Sequence, residues 1–411
     1  MKKTDFRLLY LTAETWPTFR VDVNVLFGKE LPKLSIFSDL VTGKSNHSDN
    51  TCNWGGGELI LCDISDGPIK KYTSMLLHGI RYLFCVSPHN YDAIQVRDMP
   101  VLAAIGLFAS RLKGLDFYYW MSYPIPEGQI ELARERGLSA GVIKYLFPWF
   151  RGRIGKFLLY KIIFPNADHV FVQSNRMKSD MVARGIDPMR MTAVPMGVDL
   201  QGIDIETKPL PDEPRLVGRK VLIYLGTLDR PRRIETLFEM LALIKVQMPS
   251  VMLLLVGDTE DALHRDWLKM KAQESGVADD VVWTGWLPVS EGWRYVKAAA
   301  LGLSPIPRGP LLDCGSPTKV PEYLALGIPV VCNDNPDQEA IIRESGAGVC
   351  VSYSADSFAA AVMGVLSWSE DRRERAIASG RAYVNKHRGY ELLSKNVASA
   401  YRLLSEQVAA A

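Results

Sequence analysis

Short apolar runs alternate with longer, often amphipathic segments along most of the chain. In the first half the runs are Leu8–Leu11, Leu59–Cys62, Ala93–Val96, Phe117–Trp120 and Val170–Val172. Short strands separated by longer segments, several of them helical, are the pattern of a parallel sheet. After Gly197 the sequence turns polar and proline-containing without a sustained period, which predicts a linker over 200–219. The alternation then restarts. Strands at Val221–Leu225, Val251–Val256, Val281–Thr284, Gly302–Pro305 and Val330–Cys332 are separated by helices over Ile234–Met248, Leu263–Glu274 and 290–299. The pattern predicts an α/β protein of two Rossmann-like, doubly wound domains facing each other across a cleft, with ligands at the carboxyl ends of the strands.

At 411 residues the chain is long enough for two cores. Its 48 basic and 46 acidic residues nearly cancel, so nucleic acid is not an expected partner. Six cysteines (Cys52, Cys62, Cys85, Cys314, Cys332, Cys350) lie far apart without C-x-x-C pairs, which suits free buried thiols in a reducing cytosol. The N-terminal MKKTDFRLLYLTAE predicts a first strand rather than a signal peptide, and no run of 18 apolar residues is present.

The stretch GSPTKVPEYLALGIPVV, 315–331, carries the first sign of chemistry. Pro317 has no N–H, so anion-binding donors here fall to Thr318 and Lys319 at the helix start, where amides and the helix dipole favour negative charge. Thr318 is also a candidate cap, which places Pro321 in the first turn. Glu322 sits one turn in, where a carboxylate suits sugar hydroxyls better than phosphate. Gly327 ends the helix and Pro329 prevents its continuation. A phosphate and a polyol can thus lie side by side, although the same residues also suit an ordinary loop, helix and strand. A second stretch, YLGTLDRPRRIETL (224–237), sets Gly226 at a strand end and Arg230, Arg232 and Arg233 ahead of a helix. Guanidinium groups grip phosphate in bidentate fashion; a solvated basic loop is the alternative.

These stretches, with ADHVFVQSNRMKSDMVARGID, VPMGVDL and VVWTGWLP, resemble the GT-B-fold retaining glycosyltransferases of family 4 over about 167–350. The first 165 residues share only the layout. The resemblance implies an N-terminal acceptor domain (1–199 with a returning helix, 385–411), a linker (200–219) and a C-terminal nucleotide-sugar domain (220–384). It makes Glu322 the ribose ligand, the backbone at Thr318 and Lys319 the diphosphate donors and Arg233 the phosphate-loop cation. Trp286 and Leu287 become the nucleobase readers, and Gly226, Gly315 and Ser316 line the donor site. Two positions depart from the family. Its first glutamate is Cys314 here, beside Asp313, and the arginine after the loop glycine is Thr227, leaving Arg230 or Arg232 to supply a second charge.

The function implied is transfer of a sugar, with retention, from a nucleotide-diphosphate sugar (UDP by family frequency) to a glycan or lipid-linked acceptor. With no D-x-D motif in the chain, a metal-independent reaction without a further cofactor is expected. On the acceptor side Glu14, Arg20, Arg97, Asp98 and Tyr123 are candidates, Asp98 as a catalytic group; supporting such contacts from behind, or a structural role, is the alternative. Neither His78 nor His89 matches the histidine some family members use. A GT-B-fold epimerase or a non-catalytic nucleotide-sugar or glycan-binding protein are the competing functions.

The segment 141–164 holds five basic and no acidic residues among aromatics. Lys144, Trp149, Arg151, Arg153 and Lys156 are candidate membrane contacts, placing the protein in the cytoplasm, peripheral at the inner face of the cytoplasmic membrane. A buried helix pair with snorkelling basic residues is the alternative. At the C-terminus Tyr390, Leu393, Val397 and Tyr401 form one helical stripe, expected to pack in a core.

Overall fold

The computed structural model describes residues 5–18, 20–44, 53–64, 67–137, 141–203 and 213–410. It divides into two compact units, Met1–Met196 with Tyr390–Ala411, and Gly197–Gly389. Residues 204–212 of the segment expected as a linker lie outside the described residues.

The first unit is built on a seven-stranded parallel sheet. Its strands are β1 (Phe6–Trp16), β2 (Ile36–Lys44), β3 (Leu59–Cys62), β4 (Ala93–Arg97), β5 (Asp116–Met121), β6 (His169–Val172) and β7 (Met191–Ala193), in the order β3-β2-β1-β4-β5-β6-β7. The second has six parallel strands: β8 (Lys220–Leu225), β9 (Val251–Val256), β10 (Val281–Trp283), β11 (Leu301–Ser304), β12 (Val330–Asn333) and β13 (Gly348–Val351), in the order β10-β9-β8-β11-β12-β13. In each, the order reverses beside the first strand, the switch point at which open α/β sheets bind ligands. The fold is the α/β GT-B type expected.

Strands β2, β7 and β13 were not evident from the apolar runs. In β2 (IFSDLVTGK) Ser38 and Thr42 are buried among the apolar residues. Strand β13 (GVCV) is short and only partly buried, and opens on Gly348 because a Cβ there would strike the Val330 carbonyl at 2.1 Å.

Both faces of the second sheet are covered. One packs against the helices Glu235–Lys245 and Ala355–Leu366 through residues such as Leu237, Phe238, Leu241, Phe358 and Val362. The other meets Val320, Tyr323 and Leu324 of the helix Lys319–Leu326 and Ile341 of Pro336–Ser345. Removing such side chains from water stabilises by roughly 1.5–3 kcal/mol each. In the first unit the C-terminal stripe packs as expected: Tyr390, Leu393, Val397 and Tyr401 are buried with Phe6, Tyr10 and Tyr118. The Tyr401 hydroxyl donates to Gln95 Oε1 at 2.5 Å.

Cysteine burial is mixed rather than uniform. Cys314 and Cys332 are buried, Cys62 and Cys350 partly so, and Cys85 is exposed on a helix; Cys52 lies outside the described residues.

Candidate active site

In the second unit the carboxyl ends of β8, β9, β11 and β12 and the helix Lys319–Leu326 converge. Tyr323, on that helix, is the anchor. Its hydroxyl accepts from the Leu225 N–H (2.8 Å) and donates to the Leu303 carbonyl (3.4 Å). The ring lies so close to β11 that a Cβ at Gly302 would meet it at 2.3 Å. The helix start is thereby fixed against the ends of two strands. Gly226 ends β8 at φ +143°, and a Cβ there would meet Lys319 Cε at 2.9 Å, so the glycine leaves room for the lysine.

Lys319 and Glu322 occupy the first turn, three residues apart and thus on one face. The Lys319 ammonium stands 4.9 Å from the centre of the Tyr224 ring. Burial lowers its pKa to about 7, helped by the positive charge of Arg232 and opposed by Glu322. Burial raises the Glu322 carboxyl to about 7, with Lys319 pulling the other way. Among the described residues neither side chain takes part in a hydrogen bond or close ion pair. Thr318 stands at the N-cap position but is helical in conformation and its hydroxyl makes no capping bond, contrary to the sequence expectation. The first-turn amides therefore lack that partner, as an anion site requires.

The three loop arginines are deployed differently. Arg230 extends to Asp261 on the surface, Nε to Oδ2 3.3 Å. Arg233, in a left-handed conformation at φ +49°, is largely exposed with Glu235 at 3.7 Å, and its carbonyl accepts from the Tyr353 hydroxyl. Arg232 is the one whose charge reaches Lys319. Thr227 contributes its carbonyl, an acceptor for Tyr224 Oη at 2.9 Å. On the neighbouring strand ends, Gly257 N–H donates to Gly285 O (3.1 Å), next to an exposed Trp286 and a partly buried Leu287.

The loop 313–318 is held from behind. Arg308 grips Asp313 with two bonds (2.8 and 3.0 Å) and reaches Asp334 at 2.8 Å. Asp313 is therefore already partnered, which weighs against its standing in for the missing first glutamate. Cys314 is buried, its thiol donating to Leu311 O at 3.1 Å. The Ser316 hydroxyl donates to Asp337 Oδ2 at 2.7 Å, so the side chain faces the protein while Gly315, next to it, stays partly exposed. Arg308, Asp337, Arg388 and Tyr323 escaped the sequence analysis. Arg388 and Asp337 lie 72 and 21 residues from Ser316, and no local pattern joins them.

In the first unit Arg97 is fully buried, a correction to its expected place among acceptor contacts. Its Nη2 bonds Asp22 Oδ2 at 2.7 Å and its Nη1 bonds Tyr10 Oη at 3.4 Å. The two arginines Arg97 and Arg20 hold the Asp22 carboxyl down at about 2 despite its burial. Asp98 adopts φ +54°, uncommon outside glycine, and its carboxylate accepts from both Ser122 N (2.8 Å) and the Ser122 hydroxyl. Glu14 and Arg20 remain partly accessible, 3.9 Å apart, and burial raises the Glu14 carboxyl. Tyr123 packs its ring over Gly128, where a Cβ would meet it at 2.8 Å.

The basic segment is one helix, Val142–Phe157, running into a π-turn, Leu158–Ile163, rather than a buried pair. Ile143, Leu146, Phe150, Ile154 and Phe157 form an exposed stripe along it. Arg151 stacks 4.0 Å from the Tyr72 ring centre and Arg153 5.3 Å from that of Trp149. Lys144 is exposed, and Lys156 lies 3.9 Å from Glu127. An open apolar groove of about 530 Å³ runs between this helix and Tyr72, Leu76 and Val101. No helix among the described residues is long and apolar enough to cross a membrane.

Residues 219–367 match the family model of Glycosyl transferases group 1. The fold is shared along nearly the whole chain with sucrose-phosphate synthase from Thermosynechococcus elongatus (TM-score 0.72, 17% identity, 97% of this chain and 99% of that one). It is shared also with HepE from Anabaena, solved in complex with UDP (0.67, 13%, 97% and 100%). A third is WaaG, a glycosyltransferase involved in lipopolysaccharide biosynthesis (0.67, 14%, 96% and 99%). No curated protein matches the chain by sequence. Residues 219–367 thus form a domain similar to Glycosyl transferases group 1, and the whole chain shares the GT-B fold of these structures.

Proposed function

We propose that the protein transfers a glycosyl group, with retention, from a UDP-sugar to a hydroxyl of a glycan or lipid-linked glycan at a membrane surface. One observation carries the donor half: Lys319 and Glu322, both shifted to about 7, make no side-chain hydrogen bond among the described residues and stand at a helix start beside Gly226. Desolvating ionisable groups without hydrogen bonds is costly, and a diphosphate with its adjoining ribose supplies the anion and the hydroxyls that this pair lacks. The complexes of HepE with UDP and UDP-glucose are consistent with such a donor.

The departing diphosphate gathers negative charge as the glycosidic bond breaks. The amides of Thr318 and Lys319, the Lys319 ammonium and the Arg232 guanidinium are placed to stabilise it, with Arg233 at the rim; one preorganised donor of this kind is worth roughly 2.7–4 kcal/mol. Glu322 accepts from ribose hydroxyls, and the backbone at Trp286 and Leu287 meets the base. These groups supply the charge stabilisation without a metal ion or other cofactor. On the acceptor side, Glu14 and Arg20 are the accessible charged pair of the first unit, while Arg97 and Asp98 hold that region in shape. The exposed apolar stripe and its arginines suit the interface of an anionic leaflet, to which each basic residue contributes about 1 kcal/mol.

Incubation with UDP-glucose and GDP-mannose tests the donor half. Slow release of free nucleoside diphosphate is expected; a changed sugar epimer would indicate an epimerase, and binding without turnover a carrier. Flotation tests the membrane half: the wild type should rise with anionic liposomes, and a variant neutralised at Lys144, Arg151, Arg153 and Lys156 should stay behind.

A further inference from the structure

The chain passes between its two units at Met196–Gly197 and at Gly389–Tyr390. Just inside the second unit these two passages lie side by side. Val198 pairs with Gly389 in a parallel bridge, and the Val198 N–H donates to the Arg388 carbonyl at 2.8 Å. Arg388 itself caps the long helix Glu370–His387. Its side chain turns away from the passages and is buried. Nη2 donates to Asp337 Oδ1 (2.7 Å), while Nη1 donates to Asp337 Oδ2 and to Ser316 Oγ, both at 3.2 Å. Ser316 completes the ring by donating to Asp337 Oδ2 at 2.7 Å. Asp337 sits in the first turn of Pro336–Ser345, where the helix dipole favours its charge.

The main chain of Arg388 thus belongs to the paired passages and its side chain to the loop that opens the donor helix. A buried fork-to-carboxylate pair has one favoured geometry, and displacing any member breaks charge-assisted hydrogen bonds, with Tyr383 as a further partner of Arg388. Ser316 stands only two residues before Thr318, whose amide is among those assigned to the diphosphate. We propose that Asp337 and Arg388 are positioning residues that couple nucleotide occupancy of the 315–319 loop to the paired segments at Val198 and Gly389. The proposal rests on the donor site assigned above. An anion drawn onto the amides of Thr318 and Lys319 tightens the loop; Ser316 passes this restraint through Asp337 and the Arg388 fork to the Val198–Arg388 hydrogen bond.

Hydrogen–deuterium exchange of peptides covering 197–203 and 385–392, with and without UDP, reads this directly. In the wild type UDP should slow exchange at the Val198 amide, although that amide is not among the assigned nucleotide contacts. In Ser316→Ala, which removes the loop hydroxyl and keeps the buried Arg388–Asp337 pair, and in Arg388→Gln, UDP should still bind but exchange at Val198 should no longer respond. Turnover should fall up to about 100-fold in both, as misplacement of catalytic groups does, with the donor KM changed far less. Partial rescue is expected in Arg388→Lys, which restores the charge without the fork. UDP binding to the wild type with no response at Val198, or an undiminished response in both variants, would overturn the coupling and leave the donor site standing. Absence of any nucleotide binding to the wild type would remove the donor site and the coupling together.

Discussion

The carboxyl ends of the two sheets hold desolvated charges under opposite conditions. In the first unit Arg97, Asp22, Tyr10 and Asp98 pair with one another, although Arg97 Nε makes no hydrogen bond and only nears Asp98 Oδ2 at 3.5 Å: the Asp22 carboxyl is held low by two guanidinium groups, and Asp98 is tied down by Ser122. In the second unit Lys319 and Glu322 are only partly buried, yet desolvation drives both toward neutrality, and among the described residues neither makes a side-chain hydrogen bond to offset it. A closed network of that kind holds a fold together. An open pair costs stability and persists where a ligand completes it. The contrast teaches that burial of a charged residue does not by itself mark a site; the missing partner does.

The largest effect that would break the contrast is expected at Glu322. Replacement by Ala should abolish measurable transfer, a loss of at least about 100-fold in kcat/KM from one lost preorganised contact, with the thermal melt close to that of the wild type. Near-normal activity would end the donor-site assignment. Arg97→Met should do the reverse. Removing one partner of a buried pair typically costs about 3–5 kcal/mol, so the melting temperature should drop by many degrees while UDP binding at temperatures where the protein is folded is retained. A variant as stable as the wild type would contradict a closed network.

A smaller effect sharpens the electrostatics. The Lys319 pKa is depressed in the free protein, and a bound diphosphate favours the ammonium and raises it. UDP affinity should therefore be full below about pH 7 and fall as pH rises, by up to about tenfold per unit, until the bound-state pKa is passed. The nucleotide's own terminal phosphate ionises near pH 6, so titration calorimetry between pH 7.5 and 9 isolates the protein's share. Lys319→Met should flatten that slope. A slope unchanged in the variant would assign the proton elsewhere.

Much of this was legible in the chain. Ten of the thirteen strands announced themselves as apolar runs, and Gly226, Lys319, Glu322 and Gly327 are readable because helix starts and stops follow from a few local residues. Strand β2 was not, since buried Ser38 and Thr42 break its apolar run. Arg97 was misplaced among the acceptor contacts for a related reason: a charged residue at a strand end reads as accessible, and only the fold reveals Asp22 and Tyr10 closing over it. The Ser316–Asp337–Arg388 ring was invisible because three distant segments meet there. Arg232 could not be distinguished from Arg230 and Arg233 until the backbone turned left-handed at Arg233 and sent that side chain out toward Glu235.

A Cβ on Gly257 would lie 2.2 Å from the Gly226 carbonyl, so the ends of β8 and β9 touch backbone to backbone. Neither turn has slack to lengthen or to carry a larger residue. Substitutions that probe the proposed donor site are therefore best directed at side chains such as Trp286, on the turn beyond, since insertions at this junction would displace both strand tips at once.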